Sequence, residues 1–458
     1  MSNYDEFLTN VETKTFDAEH RRKLAFNINQ YDTKVVSGKK QYTNLDLARN
    51  RAAALKSKVI ENLEHYLTDF ETNFKRRGGQ VIWAQNGEEA MKEINKILKR
   101  VEAKTIVKSK SMTTEEIHFN KAVEKEGIES IETDLGEYIV QLRDEPPYHI
   151  VTPAMHLSKE DVAATFHQKQ GTPADWAPKD IVAHVRQLLR EKYIKAEVGV
   201  TGGNFLIADI GAVAVTENEG NAANSVAHPK VHIAIVGIEK IIPTINDLDL
   251  FWSLLATHGT GQNMTVYNSI LTGPRQQGET DGPDEMVVVL LDNGRTELLA
   301  QKEQRRALSC IRCGACLNGC PIYKSIGGHA YGTTYSGPIG SVITPHLAGV
   351  DKYKHLSFAS SLCGKCTDVC PVKIDLHHLL LLNRRDFVET GHKSKSEDLI
   401  WFAWKGAMMK RKNMERGGAK AKNFLLRQFF KKTWGDRRDL PVVAPLSFNE
   451  MWRKSKGK

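Results

Sequence analysis

Seven cysteines constrain this chain more than any other feature. All lie between Cys310 and Cys370, and the first 309 of the 458 residues contain none. An odd number at spacings of two and three residues is a poor disulfide framework. The chain start, Met1-Ser2-Asn3-Tyr4-Asp5-Glu6, also lacks the basic and apolar regions of a secretory signal. Close spacing points instead to thiolates gathered around metal. No uninterrupted apolar run approaches the roughly 20 residues that span a bilayer, so a soluble, cytoplasmic protein is expected.

The first cysteine run is Cys310-x2-Cys313-x2-Cys316-x3-Cys320-Pro321, and the second is Cys363-x2-Cys366-x3-Cys370-Pro371. Two-residue gaps let successive thiolates turn inward around one cluster while backbone amides point at its sulfurs. The residue before Pro is biased away from helix, so the chain turns there and carries the last thiolate away. The runs are similar to those of two-cluster bacterial-type ferredoxins, in which the last cysteine of each run serves the other cluster. That resemblance implies two iron–sulfur clusters of the 4Fe-4S type. Cluster 1 would use Cys310, Cys313, Cys316 and Cys370; cluster 2 would use Cys320, Cys363 and Cys366, one ligand short. A complete second run would begin at position 360, where the residue is Ser360. The second cluster could then be a four-iron cluster with Ser360, His355 or water on its fourth iron, or a three-iron cluster. Zinc is the competing reading, because its sites also use cysteine pairs two apart. Zinc sites seldom add a third cysteine and a Cys-Pro, twice over.

Periodicity divides the remainder. Residues 1–78 read as a helical N-terminal region, with apolar residues at three- and four-residue steps over Ala18–Tyr31 and Leu45–Phe74. Leu45, Leu47, Leu55, Val59, Leu63, Tyr66, Leu67 and Phe70 form the expected buried stripe of the second stretch. Residues 79–295 read as an α/β domain. Strands are expected at Val81–Ala84, Thr105–Lys108, Ser130–Thr133, Tyr138–Gln141, Ala196–Val200, Phe205–Asp209, Ala212–Thr216 and Val231–Val236. Helices are expected at Gly87–Val101, from about Thr113, and at Asp180–Tyr193. Such alternation implies a largely parallel sheet covered by helices. Residues 298–388 form the two-cluster, ferredoxin-like module. Residues 389–458 form a basic, helical C-terminal region, broken at Gly417-Gly418 and irregular from Pro441. From Lys405 to Lys458, 16 Lys or Arg stand against 4 Asp or Glu, whereas the whole chain carries only +9. The basicity therefore belongs to the tail, and no general nucleic-acid-binding face is expected on the body.

Three segments of the α/β region carry a further likeness: Val107-Lys108-Ser109-Lys110-Ser111-Met112-Thr113-Thr114-Glu115-Glu116, Gly202-Gly203-Asn204-Phe205-Leu206-Ile207-Ala208-Asp209 and Thr216-Glu217-Asn218-Glu219-Gly220-Asn221. With the cysteine module and the basic tail, they resemble the iron–sulfur protein family of the bacterial L-lactate utilisation system over nearly the whole length. The resemblance implies an α/β lactate-utilisation domain similar in fold to sugar-phosphate isomerases and CoA-transferases. It implies a component of a three-part cytoplasmic system that oxidises L-lactate to pyruvate. The partners would be a second lactate-utilisation-domain protein and a cysteine-rich redox protein, and this chain would transfer electrons. The sequence has no flavin or nicotinamide fingerprint, and removing two electrons from a hydroxy acid calls for such cofactors. This chain is therefore expected to relay electrons onward, to an acceptor such as the quinone pool, and not to oxidise lactate alone.

Other residues admit two readings each. Glu217, after a strand, could be the carboxylate nucleophile of an acyl or CoA-type transferase or hydrolase, with the clusters as structural staples; otherwise it belongs to a polar strand-end loop. Gly202-Gly203-Asn204 is either a tight turn or a cradle for an anion. Lys108, Lys110 and Ser111 either meet a carboxylate substrate or lie in an exposed loop. His329, His346, His377 and His378 read as ordinary loop histidines near the cysteines. The aromatic, basic tail, with Trp401, Phe402 and Trp404, suits docking of a partner or packing on the body, then peripheral membrane contact.

Overall fold

Helix start signals recur through the N-terminal region. Ser2 opens Asn3–Phe16 with a capping box closed by Asp5, Asp17 caps Ala18–Gly38, and Asn44 caps Leu45–Glu61. In the following helix, Leu63–Arg76, the buried residues Leu63, Tyr66, Leu67, Phe70 and Phe74 recur at three- and four-residue steps. The computed structural model describes residues 2–392, 395–414, 416–435 and 438–457. They form two compact units, Met1–Phe387 and Val388–Lys458.

The first unit carries ten strands: β1 Gln80–Ala84, β2 Thr105–Lys108, β3 Glu129–Glu132, β4 Val198–Thr201, β5 Phe205–Ile207, β6 Ala212–Glu217, β7 Val231–Gly237, β8 Ile241–Ile242, β9 Tyr267–Leu271 and β10 Glu285–Leu291. Six make one sheet in the order β1-β10-β7-β4-β2-β3, parallel throughout. Its centre is covered on both faces: every residue of β7 is buried, as is nearly all of β10. Such strands read as continuous Val, Ile and Leu, without alternation. A smaller mixed sheet runs β8-β5-β6-β9. The chain steps outward from β2 to β3, then crosses back to β4 on the other side of β2. The carboxyl ends of β2 and β4 are thus the topological switch point, where open parallel sheets hold their ligands.

Three expectations need correction. Tyr138–Gln141 is not a strand but part of the helix Leu135–Leu142. Asp134 caps that helix, and Tyr138 and Ile139 bury against Ala163 and Phe166, so cap and packing override the β-propensity of Ile and Val. Leu47 is 64% exposed, because it lies two residues from Leu45 and so on the far side of the helix. The stretch after Pro441 is not wholly irregular: Ser447 and Glu450 form a capping box that opens the helix Phe448–Lys456.

One core joins distant parts of the first unit. Phe7, Leu24 and Ile28 of the N-terminal helices pack in the same cluster as Phe205 of β5 and as Cys316, Cys366 and Leu376 of the cysteine module. The 42 residues between Cys320 and Cys363 fold into the helices Pro321–Ile326, Gly337–Ala348 and Val350–Phe358 and a 3-10 turn at His329–Tyr331. In the second unit, Gly418 opens the helix Ala419–Leu425, and none of the described residues is buried. Among the described residues, no helix is long and apolar enough to cross a membrane.

Candidate functional site

Both cysteine runs take the same local conformation. Arg312 and Gly314 flank Cys313 with φ of 59° and 78°; Leu362 and Gly364 flank Cys363 with φ of 55° and 80°. Left-handed backbone is uncommon for Arg and Leu, so its recurrence at one place in each run marks an imposed turn. Each turn leads into a short helix, Ala315–Gly319 or Lys365–Val369, and each helix ends at a Cys-Pro step. The Arg312 N–H donates to Cys310 Sγ at 3.4 Å. In the second run the Leu362 N–H donates to Ser360 Oγ at 3.2 Å. Ser360 thus stands in the second run where Cys310 stands in the first.

Burial pushes up the thiols of Cys313, Cys316, Cys320, Cys366 and Cys370, the last two to about 11. Their mutual repulsion sorts them. Cys313 and Cys316 feel Cys310 and Cys370, and Cys370 feels Cys310. Cys366 feels Cys320 and Cys363, and Cys320 feels Cys363. One set therefore holds Cys310, Cys313, Cys316 and Cys370, and the other Cys320, Cys363 and Cys366. Cys363 is exposed, so the three-thiol set reaches the surface. Backbone N–H groups aim at the sulfurs, as at Ile374 on Cys370 Sγ at 3.3 Å. The spacing is too wide for zinc. Among the described residues, the side-chain groups whose ligand atoms all lie within 4.8 Å of one another are Glu145–His156–His329 and Glu115–Glu132–Glu137, without a cysteine. Thiolates each about 2.3 Å from one zinc ion would sit only about 3.8 Å apart.

Cations surround the four-thiol set. Lys56 is fully buried and donates to the carbonyls of Glu239 at 2.6 Å and Ile241 at 3.1 Å. Burial lowers its ammonium to about 7 and that of Lys240 to about 8, and both are drawn to Cys310. Arg312 stacks 4.5 Å over the Tyr335 ring, and Arg49 donates to the Cys370 carbonyl at 2.9 Å. Behind Arg312 lies a buried ion network. Arg295 donates to Glu239 at 2.6 Å and to both oxygens of Glu116 at 2.9 Å. Burial would raise the Glu239 carboxyl, but Arg295 and Arg312 outweigh it and hold the group at about 2.

A cavity of about 500 Å³ opens at the carboxyl ends of β2, β3 and β4. The segments after those strands line it at Lys110–Thr113, Asp134–Gly136 and Gly202–Asn204, and its far wall is Arg312, Cys313 and Tyr335. The switch point of the parallel sheet and Cys313 of the four-cysteine set therefore border one space.

The other sequence candidates separate. Lys110 and Ser111 line the cavity, but Lys108 does not: it is fully buried, 2.7 Å from Glu132 and 3.4 Å from Glu115. Burial opposes its charge, yet these carboxylates keep its affinity for the proton above normal. None of the three lies in an exposed loop. Glu217 also borders the cavity. Its Oε2 accepts the Ala222 N–H at 2.7 Å and its Oε1 the Ala223 N–H at 2.9 Å, so both oxygens cap the helix Asn221–Ala227. Gly202 and Gly203 answer to packing: a Cβ there would lie 2.6 Å from Ser111 Oγ and 2.8 Å from Val236. The His355 ring packs against Phe7 at a tilt of 49°, with ring centroids 5.1 Å apart. His329 bonds the Pro146 carbonyl at 2.7 Å, His346 bonds Asn383 at 3.0 Å, His377 bonds Thr367 at 2.8 Å, and His378 is exposed. Sequence reasoning missed Lys56, in the helix Leu45–Glu61, Arg295, at the start of the helix Arg295–Ala300, and Lys240, of which only Lys240 carries a local signal, a charge just before the apolar β8.

Residues 67–291 match the LUD domain, and residues 306–374 match the 4Fe-4S dicluster domain. The chain is 40% identical to Lactate utilization protein B of Anoxybacillus flavithermus, covering 99% of this chain and 98% of that protein. To Lactate utilization protein B of Shouchella clausii it is 41% identical, covering 99% and 97%. A solved structure, of a DUF162 family protein from Deinococcus radiodurans, aligns with 50% of this chain and 98% of its own at 13% identity and a TM-score of 0.28. The chain thus combines a mixed α/β LUD domain with a 4Fe-4S module, and iron–sulfur displaces zinc as the meaning of the cysteines.

Proposed function

We propose, from the premise that the chain belongs to the lactate utilization protein B family, that it is the iron–sulfur electron-transfer component of a cytoplasmic complex oxidising L-lactate to pyruvate. An iron–sulfur role in lactate utilisation follows from the family and the dicluster domain; the electron path and the reaction are our reading. Cys310, Cys313, Cys316 and Cys370 would hold one cluster. Cys320, Cys363 and Cys366 would hold the other, with Ser360 Oγ at the corner equivalent to Cys310. Clusters so held take up and release single electrons at potentials set by charge, hydrogen bonds to sulfur and exposure. The observation that carries this reading is the sorting of the thiols into two sets, each drawn from both runs.

The protein's own residues make the two sites unequal. Lys56, Lys240 and Arg312 place positive charge beside Cys310, which favours an added electron at the four-thiol site. Backbone amides on Cys310 and Cys370 act in the same sense. Cys363, at the surface, suits exchange with another protein. The partners would be two other lactate-utilisation proteins, one with a second LUD domain and one rich in cysteine, and the final acceptor would lie outside this chain. Both oxygens of Glu217 serve as acceptors that cap a helix, which weighs against acyl transfer. Anaerobic purification with iron and sulfide counting and electron paramagnetic resonance tests the reading. Two cluster signals are expected, and Cys313→Ala should abolish lactate-dependent electron flow. Full flow through that variant would refute the relay.

A further inference from the structure

The cavity at the switch point is lined by cations at one end and by carboxylates at the other. At one end lies Lys240, 8% exposed. Among the described residues its ammonium has no hydrogen-bond or ion-pair partner. Its neighbour Glu239 is committed to Arg295 at 2.6 Å. Arg312, at the same end, leaves Nη1 buried without an acceptor. Arg312 also pairs with Glu239 at 3.5 Å and Cys310 attracts Lys240, but the Lys240 ammonium donates no hydrogen bond among the described residues, so this end can receive an anion. At the other end stand Asp134, Glu217 and Glu219, which act on one another electrostatically, with Lys110 the cation nearest to Glu219. Oxygens there accept hydrogen bonds and repel negative charge.

That polarity selects a ligand. A phosphate ester or a dicarboxylate would set its second negative charge against the acidic wall. A monocarboxylate with a hydroxyl or carbonyl on the adjacent carbon meets both ends, since a hydroxyl donates to carboxylate oxygens and a carbonyl accepts from Lys110. The volume of about 500 Å³ exceeds what a three-carbon acid fills, which leaves water-filled access from the acidic side. The cationic end is also where Cys313 enters the wall.

We propose that this cavity binds a small 2-hydroxy or 2-oxo acid as its anion, the carboxylate on Lys240, in the wall that also holds Arg312 and Cys313, and the second oxygen turned to the acidic wall. The inference rests on the lactate reading and locates, in this subunit, a place for the acid or its oxidised product next to the four-thiol site. Lys240 then has two partners: the ligand in front and the charge of the Cys310 thiolate behind. Ligand occupancy shifts the electrostatics of that site.

The test uses full-length holoprotein prepared anaerobically and reduced with dithionite. Equilibrium dialysis with labelled L-lactate and pyruvate should give saturable binding near one per chain. Electron–nuclear double resonance with [1-13C]lactate or [1-13C]pyruvate should show a 13C coupling to the reduced cluster. Lys240→Met, at unchanged iron content, should weaken binding at least tenfold, whereas Lys192→Met on the outer surface should not. No saturable binding of either acid to the wild type would overturn the proposal, as would the lack of any 13C coupling, or Lys240→Met binding as tightly as wild type. The last result would leave Lys240 as a partner of the cluster alone. The wild-type resonance measurement holds even if Lys240→Met fails to fold. Loss of binding with lactate-dependent flow through Cys313 intact sinks the cavity alone. Binding with full flow in Cys313→Ala sinks the relay alone.

Discussion

Replacing Arg295 by Leu should unmake the ion network that ties the end of the large sheet to the four-thiol site. The side chain is 1% exposed and donates to Glu239 at 2.6 Å, to Glu116 twice at 2.9 Å and to the Asp292 carbonyl at 2.8 Å. In the variant Glu116 keeps Tyr335 at 2.5 Å and Asn293 at 2.7 Å. Glu239 keeps only Arg312, at 3.5 Å. One carboxylate is therefore left nearly unpaired in the interior. Breaking a buried pair costs about 3–5 kcal/mol, and the buried Leu side chain returns about 1–2 kcal/mol, for a net loss of roughly 1–4 kcal/mol. The loss should depend on pH. In the wild type the depressed Glu239 carboxyl contributes stability that is complete above the unfolded value of about 4.3 and disappears as pH falls towards about 2. In the variant burial acts unopposed, the carboxyl rises, and a proton relieves the unpaired charge. The difference between the two proteins should thus be larger at pH 7.5 than at pH 5.0. Urea unfolding of anaerobic holoprotein at both pH values, with iron counted before each series, measures it. A penalty below about 1 kcal/mol at pH 7.5, or one equal at the two pH values, would refute the argument.

Three further outcomes are expected. Ser360→Cys should raise iron retention at the three-thiol site and make it more resistant to oxidative loss of iron; electron paramagnetic resonance before and after ferricyanide reads this, and an unchanged conversion would remove Ser360 from the site. Glu217→Gln should cost about 0.5–1 kcal/mol through the weakened helix cap while leaving cluster content intact, as a thermal melt and an iron assay would show; a hundredfold loss of lactate-dependent electron flow would restore a catalytic role. Gly328→Ala places a Cβ 1.7 Å from the Tyr148 carbonyl oxygen, so overpacking should destabilise the fold by about 3 kcal/mol or more, and a wild-type melting temperature would show that this contact is soft.

Much of the parallel sheet was legible because its strands are short runs of Val and Ile separated by helical periods, and β1, β2 and β7 begin within a residue of expectation, although β10 was not among the expected strands. Tyr138–Gln141 misled because the cap at Asp134 lies outside the four residues that resemble a strand. The crossed cysteine sets came from the likeness of the runs to two-cluster ferredoxins, whereas the runs themselves were legible because ligand chemistry fixes their spacing whatever the rest of the fold does. Lys240 and Arg295 were not. Their meaning depends on which carboxylates are already spent, and that is a property of tertiary neighbours with no local period. Lys108 shows the converse: it ends β2 two residues before Lys110, but its side chain is buried in an ion cluster with Glu132 and Glu115, which no local pattern announces.

The shared core of Phe7, Leu24 and Ile28 with Cys316, Cys366 and Leu376 also dictates the order of events at the ribosome. The first helices emerge long before the segment that completes their packing, and the four-thiol set cannot close until Cys370 has been translated. Closure of that set is therefore a late step, and the N-terminal helices should resist proteases only once the cysteine module has been made.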